Sequence, residues 1–186
     1  MDFTLRKKQV LQKDKSVKKS IDDPIASLCH TLNNSNRFYT TSSCSGRICL
    51  ALSSQSKNKD SWLYVTHYQT TFEDIRSQVR LFPHTQLWFR FESFILHICC
   101  KTLTDVEELL KIARLCGLKK ASLLQVTEPY LVEIQYLPPI HIPFALDGEM
   151  VVSDSYIQDI LLIANEKLSL THAKIDEFET MIKNTL

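Results

Sequence analysis

Apolar and polar positions along the chain switch repeatedly between helical and strand spacing. Ile21, Ile25, Leu28 and Leu32 share one helical stripe. Ser20 and Asp22-Asp23 are capping candidates before it and Pro24 is admissible in a first turn, so the spacing predicts a helix of about three turns. Arg37 to Ser42 and Arg47 to Leu52 are rich in β-formers, whereas the polar run Ser53 to Ser61 has no apolar anchor and reads as a surface loop. Trp62 to Tyr68, Gln86 to Phe91 and Phe94 to Cys100 read as strands, the last two joined by a short turn at Glu92-Ser93. A helix is expected between the first two, over Phe72 to Leu81. Thr104 and Glu107 have capping-box spacing for a helix with the stripe Val106, Leu109, Leu110 and Ala113, and Gly117 stands where a left-handed residue closes it. Ala121 to Val126 and Tyr130 to Tyr136 return to strand spacing, and Pro138 to Pro143 should be irregular or at a sheet edge. No glycine or proline follows Gly148, and Ile157, Leu161, Ala164, Leu168, Ile175, Phe178 and Ile182 mark an amphipathic helix of up to ~30 residues.

Helices and strands mixed in this way, without regular glycine turns between them, indicate an α+β fold. The expectation is a single domain over residues 1–186 with a mixed sheet packed with helices and a long C-terminal helix, not a Rossmann-type fold. The length supports that: 186 residues with 44% apolar content can bury a core without disulfide or metal staples. No apolar run reaches the ~18 residues of a membrane span. The first residues turn charged at Arg6-Lys7-Lys8 before a signal-like apolar segment can begin, which points to an intracellular, cytoplasmic protein. The six cysteines follow no disulfide framework and read as reduced thiols, and no metal is expected. Three widely spaced glycines exclude the usual glycine-rich nucleotide cradles.

Charge is polarised beneath a net +1. Residues 1–47 carry nine basic and four acidic side chains, and residues 147–186 carry eight acidic side chains against three lysines. The basic end can face RNA, or be a solvated helix surface.

The densest chemistry lies in Tyr39-Thr40-Thr41-Ser42-Ser43-Cys44-Ser45-Gly46-Arg47. Its backbone N–H groups can face an anion and Arg47 can grip a carboxylate or phosphate in two-pronged fashion. The plainer alternative is a polar turn whose hydroxyls satisfy their own backbone. Ser16, Lys18, Lys19, Ser20, Ile21 and Asp22 form a second cluster at an expected helix start, where an anion is favoured or where a simple N-cap suffices. His67 and His97 are each either core-edge histidines or candidate bases. A zinc site from Cys44 and Cys49 with His67 or His97 matches no familiar spacing.

Taken in order, Phe3-x-x-Arg6-Lys7, Lys18-Lys19-Ser20-Ile21-Asp22, Tyr39-x-Thr41-Ser42-Ser43-Cys44-Ser45-Gly46-Arg47, Trp62 with His67, Ile95-Leu96-His97 and Ala164-Asn165-x-Lys167-Leu168 form one set. With them the chain resembles the tRNA wybutosine-synthesizing protein 3 family almost from end to end. The resemblance implies an S-adenosylmethionine-dependent methyltransferase acting on N-4 of the wybutosine precursor, the modified guanosine just 3′ of the phenylalanine tRNA anticodon. It implies an α+β fold of the family's own, phenylalanine tRNA as partner, and contacts with other wybutosine-pathway enzymes.

Carried over by residue, it implies that Ser42, Ser43, Ser45, Gly46 and Arg47 line the pocket for cofactor and substrate, with Ser20 and Asp22 adjoining. Methyl transfer is an in-line displacement that chiefly needs alignment. Asp22 or His67 is the expected proton acceptor, His97 is expected to be structural, and Arg6, Lys7, Lys18 and Lys19 are expected to contact the tRNA backbone. Two departures stand out: Lys19 occupies a glycine position of the family, and Glu133-Ile134-Gln135 replaces a Glu-Ile-Arg pattern. A non-enzymatic RNA-binding module of the same fold, and a hydrolase or transferase using Cys44, are the competing readings.

Overall fold

The computed structural model describes residues 2–12, 20–52, 62–80 and 86–185. In chain order the elements are α1 (Phe3–Gln12), α2 (Asp23–Asn34), β1 (Phe38–Cys44), β2 (Arg47–Ala51), β3 (Trp62–Thr66), α3 (Phe72–Arg80), β4 (Leu87–Glu92), β5 (Ile95–Cys100), α4 (Leu103–Leu115), β6 (Lys120–Gln125), β7 (Tyr130–Gln135), β8 (Ile140–Leu146), β9 (Glu149–Met150) and α5 (Asp154–Thr185). The α+β class expected from the sequence is the class observed, with two antiparallel sheets and a 32-residue C-terminal helix. The loop expected over Ser53–Ser61, together with Lys18 and Lys19, lies outside the described residues.

The backbone divides into two compact units, each assembled from separated segments: residues 1–45, 94–136 and 171–186 in one, and 46–93 and 137–170 in the other. In the first unit, β1, β5, β7 and β6 form an antiparallel sheet in that order. Alternation sends Phe38, Leu96, Ile98, Cys100, Val132 and Ile134 to one face, where they meet Ile25, Leu28 and Leu32 of α2, Val106, Leu109 and Ala113 of α4, and Ile175, Phe178 and Ile182 of α5. In the second unit the order is β3, β2, β4, β8, β9. Its core joins Ile48, Leu50, Phe89, Phe91 and Phe144 to Ile75 of α3 and to Ile157, Leu161, Ala164 and Leu168 of α5. Phe89 and Phe144 stack with centroids 5.0 Å apart.

Two local expectations are corrected, and a third, a sheet edge at the prolines, is met at Pro143. Glu92-Ser93 is not a hairpin turn: β4 pairs with β2 and β8, whereas β5 pairs with β1 and β7. The two strands serve different cores, since Phe91 is buried in one cluster and Phe94 in the other. The capping box of α4 forms two residues early. Thr102 Oγ1 accepts the Asp105 N–H at 3.1 Å and Asp105 Oδ2 accepts the Thr102 N–H at 2.9 Å. Asp105 is preferred because it is buried and also accepts from Arg37 Nε at 2.6 Å, whereas Glu107 is exposed. Pro143 lies within β8, opposite Trp88 and beside a register shift. It is tolerated because β9 pairs only with Ala145 and Leu146, so β8 is the sheet edge at Pro143. Gly117, at φ 74°, closes α4 as expected, with the Leu118 N–H reaching back to the Ala113 carbonyl at 2.8 Å.

Candidate active site

The Tyr39–Arg47 segment is where the chain leaves the first unit for the second, between Ser45 and Gly46. Each unit therefore holds its own share of the expected site.

In the first unit, Asp22 is the N-cap residue of α2, yet its side chain makes no capping bond. It is buried, and Oδ2 accepts the backbone N–H of Ser45 at 3.0 Å. The carboxylate thus ties the end of β1 to the start of α2, and Ser45 is fully buried beside it. Ser20 is exposed. Ser43 faces the helices and hydrogen-bonds the Cys29 thiol. Burial pushes that thiol up to about 11 against the opposing hydrogen bonds from Ser43 and Thr40, so Cys29 stays protonated at neutral pH.

Ser42 and Cys44 point to the sheet's second face, because alternation places them opposite Ser43. Ser42 stands in register with His97, which stands in register with Glu133, which stands in register with Ser122. His97 Nε2 meets Glu133 Oε2 at 2.8 Å, and Gln135 Nε2 donates to Glu133 Oε1 at 2.9 Å. An ionised carboxylate only accepts, so the His97 nitrogen facing it carries the proton. At the other end of this face Phe3 of α1 packs on Tyr39, with ring centroids 5.1 Å apart. Burial raises the Tyr39 phenol, the Cys99 thiol adds to the rise, and the nearby positive charge of Arg6 opposes it. Lys7 donates to the Ser35 carbonyl, and burial lowers its pKa.

In the second unit, Gly46 at φ 93° occupies a conformation that a side chain would strain. Its carbonyl is 2.7 Å from His67 Nδ1. A carbonyl only accepts, so Nδ1 carries the proton and Nε2 is the lone-pair nitrogen of neutral His67. Arg47 is engaged: Nε and Nη2 lie 2.7 and 2.5 Å from Glu92 Oε2, and its guanidinium lies over the Trp62 ring, 3.9 Å from the centroid. A ligand carboxylate or phosphate at Arg47 has to share the guanidinium with Glu92.

Asn165 belongs to the sequence motif set but has no role legible from its neighbours in the chain. The structure supplies one: Asn165 Oδ1 accepts the Thr70 N–H at 3.0 Å and Nδ2 donates to the Thr70 carbonyl at 2.8 Å. One amide thereby fixes both backbone groups of a buried residue three positions beyond His67. Glu92 and Thr70 escape a reading of the sequence, since no local pattern connects them with Arg47 or Asn165. Only the β2–β4 register, which pairs Arg47 with Glu92, and the packing of α5 bring these residues together.

The architecture is shared with solved proteins. The structure of the PH1069 protein from Pyrococcus horikoshii superposes with a TM-score of 0.87 at 29% identity, covering 97% of this chain and 95% of that one. The fold class is therefore that of a known α+β group and not a glycine-signature dinucleotide fold. The family described as Methyltransferase TYW3 matches residues 3–184, and the chain belongs to that family. A relative from Thermococcus sibiricus, named tRNA(Phe) 7-((3-amino-3-carboxypropyl)-4-demethylwyosine(37)-N(4))-methyltransferase, is 35% identical over 98% of this chain and 95% of its own length. The tRNA wybutosine-synthesizing protein 3 homolog of Mus musculus is 29% identical over 100% of this chain and 74% of its own.

Proposed function

We propose that this chain is an S-adenosylmethionine-dependent methyltransferase acting on N-4 of the wybutosine precursor beside the anticodon of phenylalanine tRNA. The observation that carries the reading is the 35% identity across 98% of the chain to the relative named for that reaction. Six free cysteines fit work in the reducing cytoplasm.

The donor set suits such a cofactor. Ser20 and Ser42 offer exposed hydroxyls, Ser43 a half-buried one, and the Ser45-Gly46 backbone is held in place by Asp22 and the His67 ring. When bound, the cofactor supplies a methyl group on a sulfonium, open to in-line displacement. The chain's own work is to align the acceptor nitrogen and receive its proton. His67 is the better acceptor, because its bond to the Gly46 carbonyl selects the tautomer with Nε2 as base. Asp22 serves as the clamp on Ser45. Ser42, Ser43 and Ser45, with Ser20 adjoining, are the cofactor contacts in the first unit and Gly46 and Arg47 those in the second, and Arg6, Lys7, Lys18 and Lys19 meet the tRNA backbone.

The engagement of Arg47 by Glu92 favours a second reading, an RNA-binding module without methyl transfer. Calorimetric titration with S-adenosylmethionine separates the two: the methyltransferase binds it and the module does not. His67→Asn, whose side-chain amide can still donate to the Gly46 carbonyl, should then bind S-adenosylmethionine and tRNA as the wild type does while turnover falls about 100-fold or more. A rate within a few-fold of wild type removes His67 from the proton transfer.

A further inference from the structure

The polar row on the second face of the first unit's sheet lies among apolar neighbours: Ile95 and Leu131 share that face with His97 and Glu133, and exposed Leu124 continues it on β6. Side chains of His97 and Glu133 retain 26% and 23% of their accessibility, so the pair is held but reachable. Both carboxylate oxygens of Glu133 are fixed, one by His97 and one by Gln135. A carboxylate offers about four lone-pair sites, so further capacity for a cationic donor remains. On the same face Arg6 of α1 lies near enough to Tyr39 and Cys99 for its charge to act on both, and Cys99 is two residues along β5 from His97. Lys120 stands in register with Gln135. A fixed negative charge flanked by positive ones, in register with Ser42, is matched by a ligand carrying both signs a few ångströms apart.

We propose that this row binds an α-amino-acid head group, with the ligand's ammonium at Glu133 and its carboxylate toward Arg6 or Lys120. A bare phosphate is disfavoured there because Glu133 would repel it. The inference rests on the methyltransferase reading, which supplies two ligands with that chemistry. One is the 3-amino-3-carboxypropyl group in the named substrate of the Thermococcus sibiricus relative. The other is the methionyl end of S-adenosylmethionine.

Two calorimetric arms on the full chain distinguish the sources. The first compares S-adenosylmethionine with 5′-methylthioadenosine, which lacks the amino-acid part. The second compares phenylalanine tRNA whose precursor base carries the 3-amino-3-carboxypropyl group with the same tRNA lacking it. In one arm the wild type should favour the ligand bearing the amino acid, and Glu133→Gln should lower that preference about tenfold or more. Affinity for the ligand without the amino acid should stay unchanged. The variant is nearly isosteric: its amide oxygen still accepts from His97, and Gln135 can turn its own amide to accept from the new NH2 group; Arg6→Gln, at an exposed helix position, should lower the same preference, which cancels any contact Arg6 makes with the tRNA backbone. Binding with both preferences unchanged in both variants overturns the inference and leaves the reading intact. Failure of the wild type to bind any of the four ligands overturns both.

Discussion

At the scale of single residues, the site is built on hydrogen bonds that fix which atoms carry protons. Asp22 accepts the Ser45 N–H, and His67 donates to the Gly46 carbonyl, so two side chains hold adjacent residues of one motif. The residue types of that motif were legible in the sequence; Asp22 and His67 came beside it through the family resemblance alone, and the atoms they hold were not legible, because they lie more than 20 positions away. Arg47 shows the consequence. Its composition-based role is to grip an anion, and the structure has it on Glu92 and over Trp62. Lysine cannot reproduce a fork and a stacked plane together. Arg47→Lys should therefore lower unfolding stability by about 1 kcal/mol, a modest figure because both partners are partly exposed. Urea denaturation reads it; unchanged stability with weakened S-adenosylmethionine binding would return Arg47 to direct ligand contact.

At the scale of elements, apolar spacing located most helices and strands, because helix and strand periods are local, and missed α1, which has no buried residue to mark a stripe. It erred where two local solutions competed. Thr102-x-x-Asp105 and Thr104-x-x-Glu107 both have capping spacing, and a remote residue, Arg37, decides between them by bonding Asp105 and Glu108. Burial alone would raise the Asp105 carboxyl, but hydrogen bonds from Thr102 and Arg37 outweigh it and hold its pKa below the ordinary value. A depressed carboxylate contributes stability that is fully present above the unfolded-state pKa, about 4, and is lost as pH falls through the folded value. Acid should therefore destabilise the wild type below about pH 4. Asp105→Asn should be less stable at neutral pH and show a shallower loss over that range, measured by thermal melting between pH 7 and 2.5. An equal acid slope in both would remove Asp105 from this role. Helix α1 carries a prediction of its own scale: replacing Arg6 and Lys7 with Gln should reduce the dependence of tRNA binding on log salt by about 0.7–0.9 for each phosphate no longer neutralised. An unchanged slope places the RNA elsewhere.

At the scale of the whole molecule, two antiparallel sheets are threaded by a chain that passes between their units at Ser45-Gly46, Ser93-Phe94, Tyr136-Leu137 and Leu170-Thr171. The α+β class was legible because it depends only on which elements exist. Sheet membership was not, since β4 and β5 are separated by two residues and still pair with different partners. The most specific sequence motif spans one of these passages, which is why local reading of it as a turn between strands described its residues and not its place. The central claim is methyl transfer to the wybutosine precursor, and its most direct test combines purified protein, S-adenosylmethionine and phenylalanine tRNA bearing the 3-amino-3-carboxypropyl-4-demethylwyosine base, followed by mass analysis of the released nucleosides. The expected result is the gain of one methyl group on that base and none on tRNA lacking it. An unmodified base after prolonged incubation, with tRNA binding intact, would contradict it.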